Sequence, residues 1–295
     1  MLILMPFKNE NSVGDLVAKA VCQYGVKPLK YGIVKNFDHA LESLKISDSI
    51  VGDPVQIQAL ARYMKFHNIN IKLKGILTSS DFILKKTVLE IEDAFQCKVY
   101  NHYGLTETAY GGAVECDCHS GMHPRENDIY LEIIDPSTEK IVKDGDFGEI
   151  VITTFNREAM PLIRYKTGDR GRLLKKRCAC SMNLKCLDYI SGRIKREKEE
   201  NSEYIPYIYV STNTTEFNGP ALIIGDNGDG FKLPPEDLTR PFVTTKPGGM
   251  GLGLYYASLV MEMYGGKLLF IDPRDYDIPS TVTGAVLALE FKKEH

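Results

Sequence analysis

Apolar residues recur at helical spacing through Val13, Leu16, Val17, Ala20, Val21 and Tyr24, which predicts one amphipathic helix. Ser12 stands where an N-cap belongs and Gly25 where the helix must stop. A second helix opens at Asp53-Pro54, with Ile57, Leu60, Ala61 and Met64 along one side. Proline in a first turn gives up only an N–H that has no helical partner there. A strand is predicted at 75–78, a helix through Val88, Ile91 and Phe95, and a strand through Val99. The opening run from Met1 to Phe7 lacks the basic start and small-residue exit of an export leader, so it reads as a buried first strand. Alternating helices and short apolar strands predict α/β architecture with a mostly parallel sheet.

From about residue 128 the pattern changes. Segments 129–134, 149–154 and 170–174 have strand character and are separated by turns at Asp135-Pro136 and Asp144-Gly145, which predicts an antiparallel subdomain. Residues 193–203 are charged and lack an apolar face, as a linker or solvated helix end would. Beyond them come a strand-like run at 204–210 and a Ser/Thr/Asn-rich turn holding Asn213 and Glu216. A buried strand at 221–224 then enters a glycine-rich turn, a helix spans about 254–264, and strands follow at 268–271 and 285–291.

The 295 residues amount to roughly two domains of about 150 each. With 43% hydrophobic and 25% charged residues, the chain can build a sizeable core without covalent staples. The net charge of −3 disfavours a nucleic-acid partner, and no apolar run approaches the ~20 residues of a membrane span. A cytoplasmic location is expected. Of the seven cysteines, Cys116, Cys118, Cys178, Cys180 and Cys186 gather in the middle of the chain, while Cys22 and Cys97 stand apart. In a reducing compartment such a cluster points to a metal before disulfides.

Residues 101–108, Asn-His-Tyr-Gly-Leu-Thr-Glu-Thr, place an aromatic, a glycine, a hydroxyl and a carboxylate after a strand. An aromatic face can cover a purine, a threonine hydroxyl can reach a phosphate, and a glutamate can hold Mg²⁺ beside it. Downstream come Gly148-Glu149-Ile150-Val151-Ile152-Thr153, Arg164-Tyr165-Lys166-Thr167-Gly168-Asp169 and Ser191-Gly192-Arg193-Ile194-Lys195. A carboxylate after a Thr-Gly turn is suited to accept both hydroxyls of a ribose. In this order the four segments resemble the adenylate-forming superfamily. The nearest resemblance is to phenylacetate–CoA ligases, supported also by residues 7–15, 51–56, Glu115-Cys116, 121–123 and 161–169. It covers about residues 1–195.

That resemblance implies a two-step reaction. A carboxylic acid, small and aromatic or otherwise, attacks the α-phosphate of ATP, giving acyl-adenylate and pyrophosphate; CoA then displaces AMP. It assigns Thr106 and Glu107 as catalytic, Thr106 at the α-phosphate and Glu107 on Mg²⁺. Tyr103 and Gly104 border the adenine, Asp169 holds the ribose, and Arg193 lies near the same sugar. The family's phosphate loop and its C-terminal lysine domain are expected to be missing from these residues.

Cys116, His123, Cys178 and Cys180 supply three thiolates and an imidazole, an ordinary set for structural Zn²⁺. Cys118, His119 and Cys186 compete for the same role, and reduced core or surface cysteines are the alternative. The resemblance adds weight, since a comparable cluster occurs in some members of that family.

A second constellation begins at Asp226-Asn227-Gly228-Asp229-Gly230-Phe231, continues through Pro241-Phe242-Val243-Thr244-Thr245-Lys246, and reaches a helix through Gly251-Leu252-Gly253. It resembles the ATPase domain of sensor histidine kinases and their GHKL relatives over 221–291. The resemblance implies adenine recognition by Asp226 with Gly228, Gly230 and Thr283-Gly284. It also implies a lid at 242–250 carrying Phe242, Thr245 and Lys246, and phosphates at the helix entry after Gly251 and Gly253. The helix bearing that family's Mg²⁺-chelating Asn is expected to be missing.

The expected fold class is therefore α/β. A partial adenylate-forming ligase fold, a mixed sheet with helices plus an antiparallel subdomain, occupies 1–195. A linker follows at 196–206, then a partial Bergerat-type α/β sandwich at 207–295. Two partial nucleotide folds joined this way read as a rearranged or mis-joined gene product, or as a chain completed by self-association or by another chain; a histidine-kinase-type ATP-binding protein and a catalytically inactive nucleotide-binding or interaction protein are the alternatives to a ligase.

Overall fold

Leu2, Ile3 and Leu4 have no exposed surface, and an apolar run buried on both faces is what a central parallel strand requires. They form β1 (Leu2–Leu4). The computed structural model describes residues 1–79, 83–109, 111–194, 205–245 and 251–292. The chain divides into two units, Met1–Glu197 and Lys198–His295.

In the first unit, helices alternate with strands: α1 (Val13–Gln23), β2 (Leu29–Lys30), α2 (Phe37–Lys45), β3 (Ser49–Gly52), α3 (Pro54–Phe66), β4 (Gly75–Thr78), α4 (Lys85–Phe95) and β5 (Lys98–Tyr103). Strands β1 to β5 pair in parallel in the order β2-β1-β3-β4-β5. β6 (Ala113–Glu115) and β7 (Met122–Pro124) extend the sheet antiparallel. The mostly parallel sheet expected from the sequence is thus present.

The predicted helix signals act through identifiable bonds. Asp53 accepts from the backbone N–H groups of Val55 and Gln56, a cap of about 1 kcal/mol in general. Ser12 occupies the N-cap of α1 but makes no side-chain cap bond. On α4, Ile91 and Phe95 are fully buried, each such side chain contributing about 1.5–3 kcal/mol.

A second sheet, β8 (Ile129–Ile134), β9 (Gly148–Thr154) and β10 (Tyr165–Gly171), is antiparallel in the order β10-β9-β8. The expected strand at 170–174 is corrected to β10, which starts five residues earlier and has a register shift between Lys166 and Arg170. Its polar residues obscure the alternation that normally marks a strand. One apolar cluster, including Tyr103, Met122, Leu131, Ile150, Ile152 and Leu187, joins both sheets.

The second unit carries β11 (Ile208–Asn213), β12 (Ala221–Asp226), α5 (Pro235–Leu238), α6 (Gly253–Met263), β13 (Lys267–Phe270) and β14 (Val286–Glu290). Its sheet is antiparallel in the order β11-β12-β14-β13. Ile223, Val282, Val286 and Ala288 form its core. β11 runs on through Asn213, where a turn was expected. Asn213 Oδ1 accepts from the backbone N–H groups of Thr215 and Glu216, so Asn213 ends the strand and organises the following turn.

Candidate functional site

Tyr103 is the last residue of β5, so the sheet itself places it at the carboxyl edge where open α/β sheets bind ligands. Asn101, His102 and Tyr103 belong to the strand, and the loop expected there starts only at Gly104. Thr106, Glu107 and Thr108 form a single 3₁₀ turn, tied by Thr108 Oγ1 to the N–H and carbonyl of Leu105. Thr106 is exposed on this turn and Glu107 half-buried.

Asp169 comes to the same place from β10. Its Oδ2 accepts from the Tyr103 hydroxyl at 2.9 Å, and its Oδ1 accepts from Arg193 Nε at 3.0 Å. Each carboxylate oxygen retains a second lone pair. The Tyr103 ring is a member of the apolar cluster and only 7% exposed. Burial, reinforced by the Asp169 charge, raises the Tyr103 pKa well above the usual phenol value, so its hydroxyl stays a donor.

The turn beneath Asp169 is locked from below. Thr167 Oγ1 donates to the Ile150 carbonyl and accepts from the Asp169 N–H, while Glu149 accepts from Gly168 N–H at 3.1 Å. Gly168 has φ of +76°, a conformation that the reversal before Asp169 requires and that side chains disfavour.

Glu107 is held by two residues given no role from the sequence. Tyr165 donates to Glu107 Oε1 at 2.9 Å, and Arg157 Nη1 donates to its backbone carbonyl at 3.0 Å. The hydrogen bond to Glu107 raises the Tyr165 pKa. Sequence reasoning also missed Ser79 and His102, at the ends of β4 and β5, whose Oγ and Nδ1 lie 2.9 Å apart. Burial, then the nearby Arg125 charge, lowers the His102 pKa. Tyr165 was readable from its place beside the Thr-Gly-Asp turn; the Ser79–His102 pair has no linear signal.

A second grouping lies beyond β6 and β7. The ligand atoms of Cys116, His123, Cys178 and Cys180 all fall within 4.8 Å of one another. Cys116 and Cys178 sulfurs are 3.5 Å apart, and Cys180 Sγ is 3.3 Å from His123 Nε2. A tetrahedral Zn²⁺ with bonds of about 2.3 Å to sulfur needs sulfur–sulfur edges of about 3.8 Å, so the donor set fits that ion in kind and size. His123 Nδ1 lies 3.0 Å from the Lys185 carbonyl, which can only accept. Nδ1 therefore carries the proton, and the Nε2 lone pair faces the thiols. The Cys180 backbone N–H lowers the Cys178 thiol to about 6, whereas burial pushes Cys116 up to about 12. His119 instead lies 3.6 Å from Glu115 and against the Tyr100 ring, and Cys186 bonds the Ser120 carbonyl. Cys118 also falls outside the group of four.

In the second unit Asp226 ends β12. Its Oδ1 accepts from the N–H groups of Gly228 and Ala285 at 2.9 and 3.0 Å. A Cβ on Gly284 would stand 1.9 Å from that oxygen. Gly230, with φ of +75°, approaches the Gly284 backbone. Phe242 donates its N–H to the Gly251 carbonyl at 3.0 Å, both residues have positive φ, and α6 starts at Gly253. Thr245 is exposed; Lys246 and 247–250 of the expected lid lie outside the described residues.

Part of the chain is similar to known acid–CoA ligases. The chain is 35% identical over 107 residues to phenylacetate-coenzyme A ligase of Thermus thermophilus, covering 35% of this chain and 24% of that protein. With the Aromatoleum evansii protein of the same name, identity is 49% over 74 residues, 24% of this chain and 17% of the relative. The matched stretches thus span no more than a quarter of these relatives. No family model matches the chain. Among solved structures, a 2-hydroxyisobutyryl-CoA ligase in complex with 2-HIB-AMP and CoA superposes with a TM-score of 0.60 at 22% identity, over 66% of this chain and 43% of that one. A long-chain-fatty-acid-CoA ligase from Archaeoglobus fulgidus gives 0.51 at 14% identity, over 65% and 43%. The fold over about two thirds of the chain is that of adenylate-forming ligases. Among the described residues no helix is long and apolar enough to cross a membrane.

Proposed function

We propose that the first unit is the nucleotide-handling portion of an AMP-forming acid–CoA ligase of phenylacetate type. The observation that carries this reading is the meeting of Tyr103, Asp169 and Arg193 at the carboxyl end of the sheet. Asp169, held by a phenol and a guanidinium, accepts the ribose hydroxyls of ATP or AMP; Tyr103 and Gly104 border the adenine. Thr106 on its exposed turn contacts the α-phosphate, and Glu107 holds Mg²⁺. The reaction would join a carboxylate to the α-phosphate with departure of pyrophosphate, and then to CoA with departure of AMP. Catalysis of this kind rests on positioning and charge neutralisation at phosphorus. Cys116, His123, Cys178 and Cys180 hold a structural Zn²⁺, a closed four-ligand site with no place for substrate. Calorimetry of AMP binding to the full chain tests the reading. Asp169→Ala should weaken binding, and unchanged affinity would sink it.

A second reading concerns the other unit, an ATP-binding module of histidine-kinase type. It is supported by the Asp226 cradle, where the Gly284 position tolerates no side chain and Oδ2 makes no hydrogen bond among the described residues. Asp226→Asn should abolish ADP binding there. If ATP analogues protect no amides between 226 and 253 from hydrogen exchange, this module binds no nucleotide.

A further inference from the structure

Residues 172–194 form a loop that leaves β10 and returns along it. The Leu174 N–H donates to the Cys186 carbonyl, Asp188 N–H to Arg172, Ser191 N–H to Arg170 and Ile194 N–H to Gly168, while Arg170 N–H donates to Gly192. Arg172 and Asp188 reinforce the two arms with an ion pair of 2.7 Å. Cys178 and Cys180 lie in the turn of this loop, and Arg193 lies at the end of its returning arm, bridged to Asp169.

The returning arm is also fastened sideways. Leu187 exchanges both backbone hydrogen bonds with Met122 of β7, at 2.7 and 2.8 Å. Tyr189 donates its hydroxyl to Glu115 at the end of β6. Glu115 Oε2 in turn accepts from the backbone and side-chain N–H groups of Asn101, two residues before Tyr103. Gly121 has no room for a side chain here, since a Cβ would stand 2.7 Å from the Leu187 carbonyl. Cys116 directly follows Glu115, and His123 lies within β7. Two of the four clustered ligands therefore belong to the β6–β7 side, and two to the turn of the loop.

We infer that metal bound by this cluster clamps the 172–194 loop to β6 and β7, and thereby positions Arg193 against Asp169 and organises the nucleotide site. The inference rests on the proposed nucleotide reading for its functional consequence, and on the hydrogen-bond path for its structural one. Without metal, the thiols of Cys178 and Cys180 no longer hold the turn to Cys116 and His123. The returning arm then keeps its main-chain bonds, the Tyr189–Glu115 contact, the Arg172–Asp188 and Arg193–Asp169 bridges and the burial of Leu187, but its tie at the turn is gone. Gly192, with φ of +126° and nothing within 4 Å of where a Cβ would lie, is the point where the arm can yield. These four ligands are positioning residues, acting on nucleotide only through Arg193.

The test uses the full chain, prepared with one equivalent of Zn²⁺, stripped with a chelator, and reloaded. Three quantities are read: bound zinc, hydrogen exchange of amides 186–194 without nucleotide, and AMP affinity by calorimetry. The expected result is one zinc per chain, protection of 186–194 that is lost on stripping and regained on reloading, and an AMP affinity about fivefold or more lower in the stripped form. Cys180→Ser should reproduce the stripped state, and Cys22→Ser, on α1, should change nothing. Failure to bind zinc overturns the inference, as does bound zinc without any change at 186–194. Protection that follows zinc while AMP affinity stays constant overturns the link to the nucleotide site. Zinc-dependent protection with no AMP binding in either form supports the clamp and overturns the nucleotide reading instead, so the two failures are distinct.

Discussion

The hydroxyl of Tyr103 donates to Oδ2 of Asp169 at 2.9 Å, although 66 positions separate them in the chain. One residue ends a parallel strand and the other lies on an antiparallel one, so the contact ties the two sheets of the first unit at the candidate nucleotide site. Removing the Asp169 carboxylate leaves Arg193 without this partner and removes the proposed ribose acceptor. Hydrogen bonds to charged groups are worth about 1.5–3 kcal/mol, so Asp169→Ala should weaken AMP binding roughly 10- to 100-fold. Tyr103→Phe, which keeps the ring, should cost less than Asp169→Ala in the same titration. Equal losses would mean that the ring, and not the carboxylate, carries the affinity.

Glu107 and Tyr165 separate a metal role from a structural one. With Glu107→Gln, affinity for Mg²⁺·ATP should fall about tenfold, the size of one lost charged contact of about 1.5 kcal/mol, while affinity for AMP alone stays as it was. Tyr165→Phe frees Glu107 Oε1 of its hydrogen bond and should leave Mg²⁺·ATP binding within a few-fold. A parallel decline in AMP and Mg²⁺·ATP affinity for Glu107→Gln would assign the residue to folding of the turn.

His102 should make the protein acid-sensitive. Its folded pKa lies below 6.5 because burial and Arg125 disfavour the imidazolium. Between the two values the unfolded chain binds more protons than the folded one, so stability falls as pH drops through 6.5 toward the folded pKa. Above 6.5 both states are neutral at this residue and the contribution is flat. Urea denaturation from about pH 5 to about pH 7.5 should show this decline, and His102→Gln should reduce it. An identical slope in the variant would place the acid sensitivity elsewhere.

Gly112 tests how closely β6 must approach β5. Its N–H donates to the Tyr103 carbonyl at 3.0 Å, and an added Cβ would stand 2.7 Å from that oxygen. Gly112→Ala should destabilise the unit by about 1–3 kcal/mol, as overpacking does, and weaken AMP binding by displacing Tyr103. Thermal unfolding with and without AMP separates the two effects. A full-affinity variant with a lowered midpoint would uncouple the strand from the site.

Much of this architecture is legible locally, because helix and strand periodicity is set by nearest neighbours. The strand at Gly75–Thr78, the strand at Ile129–Ile134 and the Asp53-Pro54 helix start are read directly from the residues. Helix α2, absent from the expected elements, has a readable signal in Phe37, Ala40, Leu41 and Leu44 at helical spacing. β2 has only two residues and exists through its pairing with β1, so no local pattern announces it. In β10 the Lys-Thr-Gly-Asp segment needed to shape the turn before Asp169 disrupts the alternation, which moved the expected strand downstream.

The residue types of both constellations, their order, and four candidate metal ligands with three competitors are legible in the linear chain. The tertiary structure gathers Cys116, His123, Cys178 and Cys180 and leaves the competitors outside, because thiols 62 positions apart, and a thiol and an imidazole 57 apart, meet through sheet pairing and loop closure rather than spacing. It also brought Ser79 to His102, Tyr165 to Glu107 and Arg193 to Asp169. Such pairs depend on long-range strand register, and register is fixed by burial of whole apolar faces, which no local window of residues contains.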